Sequence, residues 1–212
     1  MANYFFNFPK TVYSLNGSNS LEVVTNLTSG FSFDESLTEN SILYYEYTVP
    51  DGETPEILAH KLYGSSEDHW IILKMNKIMD VKKDWPLDQR SLNVAINDKY
   101  ANNGISQSQT GYQWAFNNTH SYYKIETRTL VTSGEKVTDI IQVDANTFAN
   151  ISPSSVLYTL PDNNVLRIDT SRNAKTYYQY EVEQNDDKRN IKILKDEYVS
   201  VVKDEFIRII NV

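Results

Sequence analysis

Residues 44–92 read YYEYTVPDGETPEILAHKLYGSSEDHWIILKMNKIMDVKKDWPLDQRSL, and this stretch decides the fold. Tyr45, Tyr47 and Val49 alternate with Glu46 and Thr48, the spacing of a strand with one buried face. Pro50-Asp51-Gly52 then marks a turn. Thr54 is placed to cap a helix, because its hydroxyl can accept from a free N–H of the first turn. Pro55 suits the first helical position, where its missing N–H costs nothing. Glu56 faces the positive end of the helix dipole. Ile57, Leu58, Lys61 and Leu62 follow helical spacing, and Gly64 fits a left-handed stop. Ser65 or Ser66 caps a second helix, which carries Glu67 and Asp68 in its first turn. Trp70, Ile71, Leu73 and Lys74 follow, Asn76 reads as a left-handed terminator, and Ile78 returns to the core. The stretch contains no catalytic constellation. It describes a module that holds other molecules.

The remainder is read outward from this stretch. Residues 1–42 are expected to form an extended arm, with aromatic anchors in Tyr4-Phe5-Phe6-Asn7-Phe8-Pro9 and polar linkers at Asn16–Ser20 and Thr28–Gly30. A third helix is predicted from Asp88 to Ala101, with Leu92, Ala95, Ile96 and Tyr100 as its apolar stripe. Asn102-Asn103-Gly104 ends it, and a polar linker runs to Gly111. From Tyr112 to Ile168 the pattern is mostly β. Strands are predicted at Tyr122–Val131, Val137–Val143, Val156–Leu160 and Val165–Ile168. Ser133–Lys136, Asp144-Ala145-Asn146 and Pro161–Asn164 supply the turns between them. Tyr177–Gln184 fits strand or helix. Ile191–Leu194 reads as a short strand. A last helix begins near Asp196, with Tyr198, Val202, Phe206 and Ile209 on one face.

Composition narrows the function. The 212 residues suffice for one elaborate domain or two small ones. There is no Cys, so disulfides and thiolate metal sites are excluded. No apolar run is long enough to cross a membrane as a helix. The start lacks the basic and apolar regions of a signal peptide, and none is expected. A net charge of −8 opposes sequence-independent nucleic-acid binding, which needs Lys and Arg against phosphates. Fifteen Tyr and three Trp suit either a β-rich core or an interface, since both rings combine contact area with a polar handle.

Chemistry is scarce. His60 and His69 lie on successive helices without a third ligand in register, and His120 is remote, so no metal centre is expected. Ser–Lys pairs occur at Ser121/Lys124, Ser133/Lys136 and Ser200/Lys203, none within a hydrolase motif. There is no phosphate-binding glycine loop and no zincin helix. No catalytic residue and no cofactor is expected.

Tyr47, Val49, Asp51-Gly52-Glu53-Thr54, Ile57, Ala59, Tyr63-Gly64, Asn76 and Ile78 resemble the LysM module, a small fold of two helices against a two-stranded sheet. Three features depart from it: Pro55-Glu56 after the capping Thr, His69-Trp70, and the appended Asp84-Trp85-Pro86-Leu87. These departures resemble the baseplate wedge protein fifty-three family of contractile-tailed phages. A second block agrees with that family: Tyr180-Glu181, Asn185-Asp186-Asp187-Lys188-Arg189, Ile191–Leu194 and Phe206–Ile210.

The fold expected is therefore α+β: a LysM-like βααβ module with an added helix, the extended N-terminal arm, and a β-rich region ending in a C-terminal helix. The segments are 1–42, 43–103, 104–174 and 175–212. The family resemblance implies a structural subunit that joins neighbouring wedges into the ring around the central hub. It would be present in several copies in a virion tail baseplate assembled in the host cytoplasm. Its implied partners are other wedge and hub-proximal tail proteins, with no nucleic acid and no membrane. Candidate interface residues are Tyr63, Trp70, Trp85 and Pro86. Arg189 joins them as a guanidinium able to pair bidentately with a partner carboxylate. The alternative is a LysM-type module that binds peptidoglycan or chitin in a groove bordered by Asp51–Thr54 and Asn76–Met79.

Overall fold

The computed structural model describes residues 8–14, 21–26, 33, 35, 39–106 and 108–210. The anchors Tyr4, Phe5 and Phe6 and the linkers at 16–20 and 28–30 lie outside these residues. The chain is α+β and divides into two compact units, 1–88 with 186–212, and 89–185. The first unit is thus assembled from both ends of the sequence.

In the first unit, β1 (Lys10–Tyr13) and β2 (Glu22–Thr25) form an antiparallel ribbon. β3 (Tyr44–Thr48) leads to α1 (Pro55–Tyr63), a single 3₁₀ turn (Ser66–Asp68), α2 (His69–Met75) and the short α3 (Val81–Asp84). The local reading of α1 holds. The Thr54 hydroxyl accepts from the Ile57 N–H, Pro55 sits at the start, and Gly64 closes the helix at φ 74°. That left-handed value favours glycine because a side chain would meet the following carbonyl. Asn76 is different. It lies at φ −98°, and Lys77 takes the left-handed position at φ 55°.

The strand that completes the sheet is not adjacent to these helices. β3 pairs antiparallel with β8 (Asn190–Leu194), from Tyr44↔Leu194 to Thr48↔Asn190. This corrects the contiguous βααβ module expected at 43–103. Residues 77–103 make no strand, and the partner comes from the distant end of the chain. The physical reason is satisfaction of β3's ladder by the uniformly apolar Ile191, Ile193 and Leu194, all buried. Asn76 joins the helices to this strand. Its side-chain amide donates to the carbonyls of Ile72 and Lys192, and its oxygen accepts from the Lys192 N–H.

Two apolar clusters hold the first unit. One gathers Val49, Leu58, Ala59, Ile72, Trp85, Ile191 and Ile193. The other gathers Phe8, Trp70, Ile71, Leu194, Val199, Phe206 and Ile210, the last three from α9 (Asp196–Ile210). Each fully buried Leu or Ile side chain here contributes roughly 1.5–3 kcal/mol. Tyr198 and Val202 pack against the second cluster as expected, but Ile209 is turned out and Ile210 takes its place. Ile57, expected on the inner face of α1, is also exposed. Phe8 is buried against Phe206, with ring centroids 6.1 Å apart, so this part of the arm is anchored on its own chain.

Lys203 of α9 donates to the buried carboxylate of Asp68 at 2.6 Å. Lys203→Met should strand that carboxylate and cost about 1–3 kcal/mol. Urea denaturation checks it: the midpoint should fall at unchanged slope.

The second unit starts with three helices, α4 (Gln89–Lys99), α5 (Ala101–Ser106) and α6 (Gly111–Asn117). Asn102-Asn103-Gly104 does not end the third helix. The helix stops at Lys99 and α5 follows directly. The β pattern predicted from Tyr112 also starts too early. Thr110 and Gln113 form a reciprocal capping box that commits 111–117 to helix. Next come β4 (Thr119–Leu130), β5 (Lys136–Val143), α7 (Ala145–Asn150), β6 (Ser154–Thr159), β7 (Val165–Thr176) and α8 (Tyr177–Asp187). The four strands form one antiparallel sheet in the order β5-β4-β7-β6. Asp144, expected in a turn, caps α7 by accepting from the N–H groups of Asn146 and Thr147. Tyr177–Gln184 resolves as helix, and its aromatics stack on the helical layer: Trp114 lies 5.5 Å from Tyr100 and 4.9 Å from Tyr177.

Candidate functional site

All five residues expected at an interface fall in the first unit, and all five are engaged within it. Tyr63, the last residue of α1, donates its hydroxyl to the Leu194 carbonyl at 3.0 Å. Burial pushes this phenol well above its ordinary pKa, so it stays a neutral donor. Trp70 is 8% exposed and packs on Phe206 with ring centroids 4.9 Å apart. Trp85 follows α3 and is 5% exposed. Its indole N–H donates to the Glu53 carbonyl at 2.9 Å. Pro86 is buried beside it in sequence.

The segment that delivers Trp85 is fixed locally. The Asp80 side chain caps α3 through the Lys82 N–H. The Asp84 carboxylate accepts from the N–H groups of Asp80 and Met79, which hold its pKa below the ordinary carboxylate range. The Asp-Trp-Pro-Leu run therefore acts as a folded elbow that inserts one indole under the β3–α1 loop.

Arg189 is a clamp. Its Nη2 pairs with Asp51 at 2.9 Å and its Nε with Asp186 at 3.1 Å. It also donates to the carbonyls of Val49 at 3.2 Å and Leu87 at 3.3 Å. Within this chain its carboxylate partners are Asp51 and Asp186. One guanidinium ties the exit of β3, the Trp-Pro segment and the approach to β8 together, which a Lys could not do with one charged point.

The groove implied by the LysM resemblance is similarly occupied. Glu53 accepts from Tyr47 at 2.8 Å and from Lys61 at 3.3 Å. Asp51 is bound by Arg189, and Asn76 has both ends of its amide on backbone. His69 Nδ1 meets the Ser66 carbonyl at 2.8 Å, which suits a ring N–H at the start of α2. Among the described residues, no three His, Asp or Glu side chains converge as a metal site would require.

What sequence reading missed are the large apolar side chains left on the surface. Met79 is 82% exposed, and Leu21, Val23, Ile42 and Ile57 also lie open in the first unit. Ile105, Phe116, Ile140 and Leu157 do so in the second. Some, such as Ile57, lie out of phase with the buried stripe, whereas Leu157 stands between exposed Val156 and Tyr158 and Phe116 stacks on Tyr112 and Tyr178. Helix phase separates Ile57 from Leu58 and Leu62, and that was the available signal.

Compared with known protein families, residues 15–209 match the one described as base plate wedge protein 53 of phages. The chain belongs to that family. No curated protein sequence matches the chain. The match spans both units and includes both strands of the β3–β8 sheet. A wedge-family protein is a structural component of the phage virion, located in the tail baseplate, and interacts with other baseplate proteins. The wedge family is one of structural proteins and not a known family of enzymes.

Proposed function

We propose that this chain joins neighbouring wedges into the ring around the hub through surfaces on both of its units. The observation that carries the reading is the extent of the family match, which takes in both units. Tyr63, Trp70, Trp85, Pro86 and Arg189 serve that role indirectly. They make the first unit rigid, so that its outer residues hold a fixed shape for partners. Glycan binding has less support, since the polar groups bordering its groove are already committed to internal hydrogen bonds.

The test is co-expression with the other baseplate proteins of the same phage, read by size-exclusion chromatography and mass spectrometry. Stable co-elution is expected. Met79→Asp changes a residue that is almost wholly in water, so folding should be unaffected. If Met79 lies in the contact, this variant should weaken co-elution at least about tenfold, as loss of one central apolar contact does. A chain that elutes alone, yet is retained on peptidoglycan or chitin, would defeat the wedge-joining reading and restore the glycan one.

A further inference from the structure

Among the described residues, the four-stranded sheet of the second unit has two open edges, and they are not alike. The β5 edge carries Lys136 and Asp139, with Asp139 paired to Arg128 at 3.0 Å. Charges of this kind discourage strand addition. The β6 edge reads Ser-Ser-Val-Leu-Tyr-Thr and carries no charge. All six of its residues are exposed, including Val156, Leu157 and Tyr158. Pro153 and Pro161 bracket it, so the edge available for pairing is short and sharply bounded.

The direction of its free backbone groups follows from the hairpin. The Leu160 N–H donates to the Asn164 carbonyl at 2.8 Å, which makes 160 and 164 a hydrogen-bonded pair. In an antiparallel ladder such pairs alternate. Tyr158↔Leu166, Val156↔Ile168 and Ser154↔Thr170 are therefore bonded to β7. The Val131 N–H donates to the Val165 carbonyl, which points that residue to β4 and agrees with this phase. The N–H and C=O groups of Ser155, Leu157 and Thr159 consequently point away from the sheet, into the open edge.

We propose that β6 pairs with β6 of a second copy of this chain, antiparallel about a two-fold axis at Leu157. Only a register centred on one residue keeps each face of one sheet continuous with the same face of the other. Centred on Leu157, all three outward residues are used. Leu157 meets Leu157 of the second copy and Ser155 meets Thr159, giving about six backbone hydrogen bonds. Centring on Val156 would set Thr159 against Pro153, which has no N–H to give. On the other face Val156 lies opposite Tyr158, an aromatic–β-branched pair of the favourable kind. Because β6 is uncharged, the pairing sets no like charges opposite one another. The two sheets become one continuous sheet. This inference is independent of the wedge-joining reading, and either can fail without the other.

Sedimentation of the full chain from micromolar to submillimolar concentration tests it. A monomer–dimer equilibrium is expected. Leu157→Lys places two ammonium groups opposite each other at the axis. Leu157→Pro removes an N–H that points outward while leaving the bonds to β7. Each should weaken the dimer at least about tenfold, with the melting temperature held. The chain has no Cys, so a single introduced thiol reports the register. Oxidised Leu157→Cys should cross-link into a dimer, since residues in such a pair stand about 5.5 Å apart at Cα. Ser155→Cys should not. A chain that stays monomeric throughout overturns the proposal, as does a dimer insensitive to both Leu157 variants or equal cross-linking at Ser155. If the chain alone is monomeric, and Leu157→Lys instead releases another baseplate protein, self-pairing is refuted and the edge belongs to that protein.

Discussion

Gly111→Ala is expected to destabilise the second unit by at least about 3 kcal/mol, a large effect for a single methyl group. A Cβ at this position would stand 2.1 Å from the Asn97 carbonyl oxygen and 2.7 Å from both the Ala101 nitrogen and the Tyr100 carbonyl carbon. All three are backbone atoms at the junction of α4 and α5, so no side chain can swing aside. The α6 helix must then lift off α4. That motion would pull Trp114 from its stack on Tyr100 and disturb the Tyr112 N–H bond to Asn97 Oδ1. Gly104 shows the same close crossing from the other side, with the backbone of 109–111 at 2.7–2.8 Å from its missing Cβ. Hydrogen exchange is the informative readout. Amides of residues 97–118 should lose protection in Gly111→Ala while those of β3 and β8 keep theirs. A variant with native melting behaviour would mean that the helices do not approach as closely as described.

Trp85→Ala should cost about 3–5 kcal/mol, the range for removing a buried aromatic ring. The indole fills the space between Val49, Leu58, Ile72 and Ile193 and donates to the Glu53 carbonyl, so both packing and a turn contact are lost. Trp85→Phe keeps a buried aromatic ring but loses the indole N–H and leaves a small cavity, so it should cost less than Trp85→Ala. Urea titration of the pair checks that order, and equal losses would contradict it. Because the ring is internal, Trp85→Ala should weaken assembly and any glycan binding together, through the unfolded fraction. Surface changes such as Met79→Asp are the ones that discriminate between those functions.

Local signals carried the reading of α1, of both hairpins in the sheet and of the final helix. Thr54, Pro55 and Gly64 specify a helix whatever surrounds them, and Ser133-Gly134 specifies a turn. The capping box at Thr110 and Gln113 is equally local, and it overrides the strand-like alternation of Tyr112, Trp114 and Phe116. The partner of β3 was illegible for a different reason. Ile191-Lys192-Ile193-Leu194 is recognisable as a strand, but nothing in it names Tyr44–Thr48, and Thr48 and Asn190 are 142 residues apart. For the candidate site, residue type was the obstacle. A Trp or Arg is favoured both at interfaces and in well-packed interiors. Trp70, Trp85 and Arg189 are engaged within their own unit, and Met79 and Leu157 are exposed.

The split origin of the first unit sets an order of events at the ribosome. Residues 44–88 emerge with β3 unpaired and Leu58 and Ile72 lacking the cover of Ile191 and Ile193. The whole of 89–185 must be translated before that cover arrives, an interval on the order of ten seconds at common elongation rates. The second unit can finish folding within this time, since its contacts close within a continuous stretch. A nascent chain released between residues 185 and 190 would carry a complete second unit and an open, sticky first one. That species, more than the finished protein, is the one a chaperone or protease would meet.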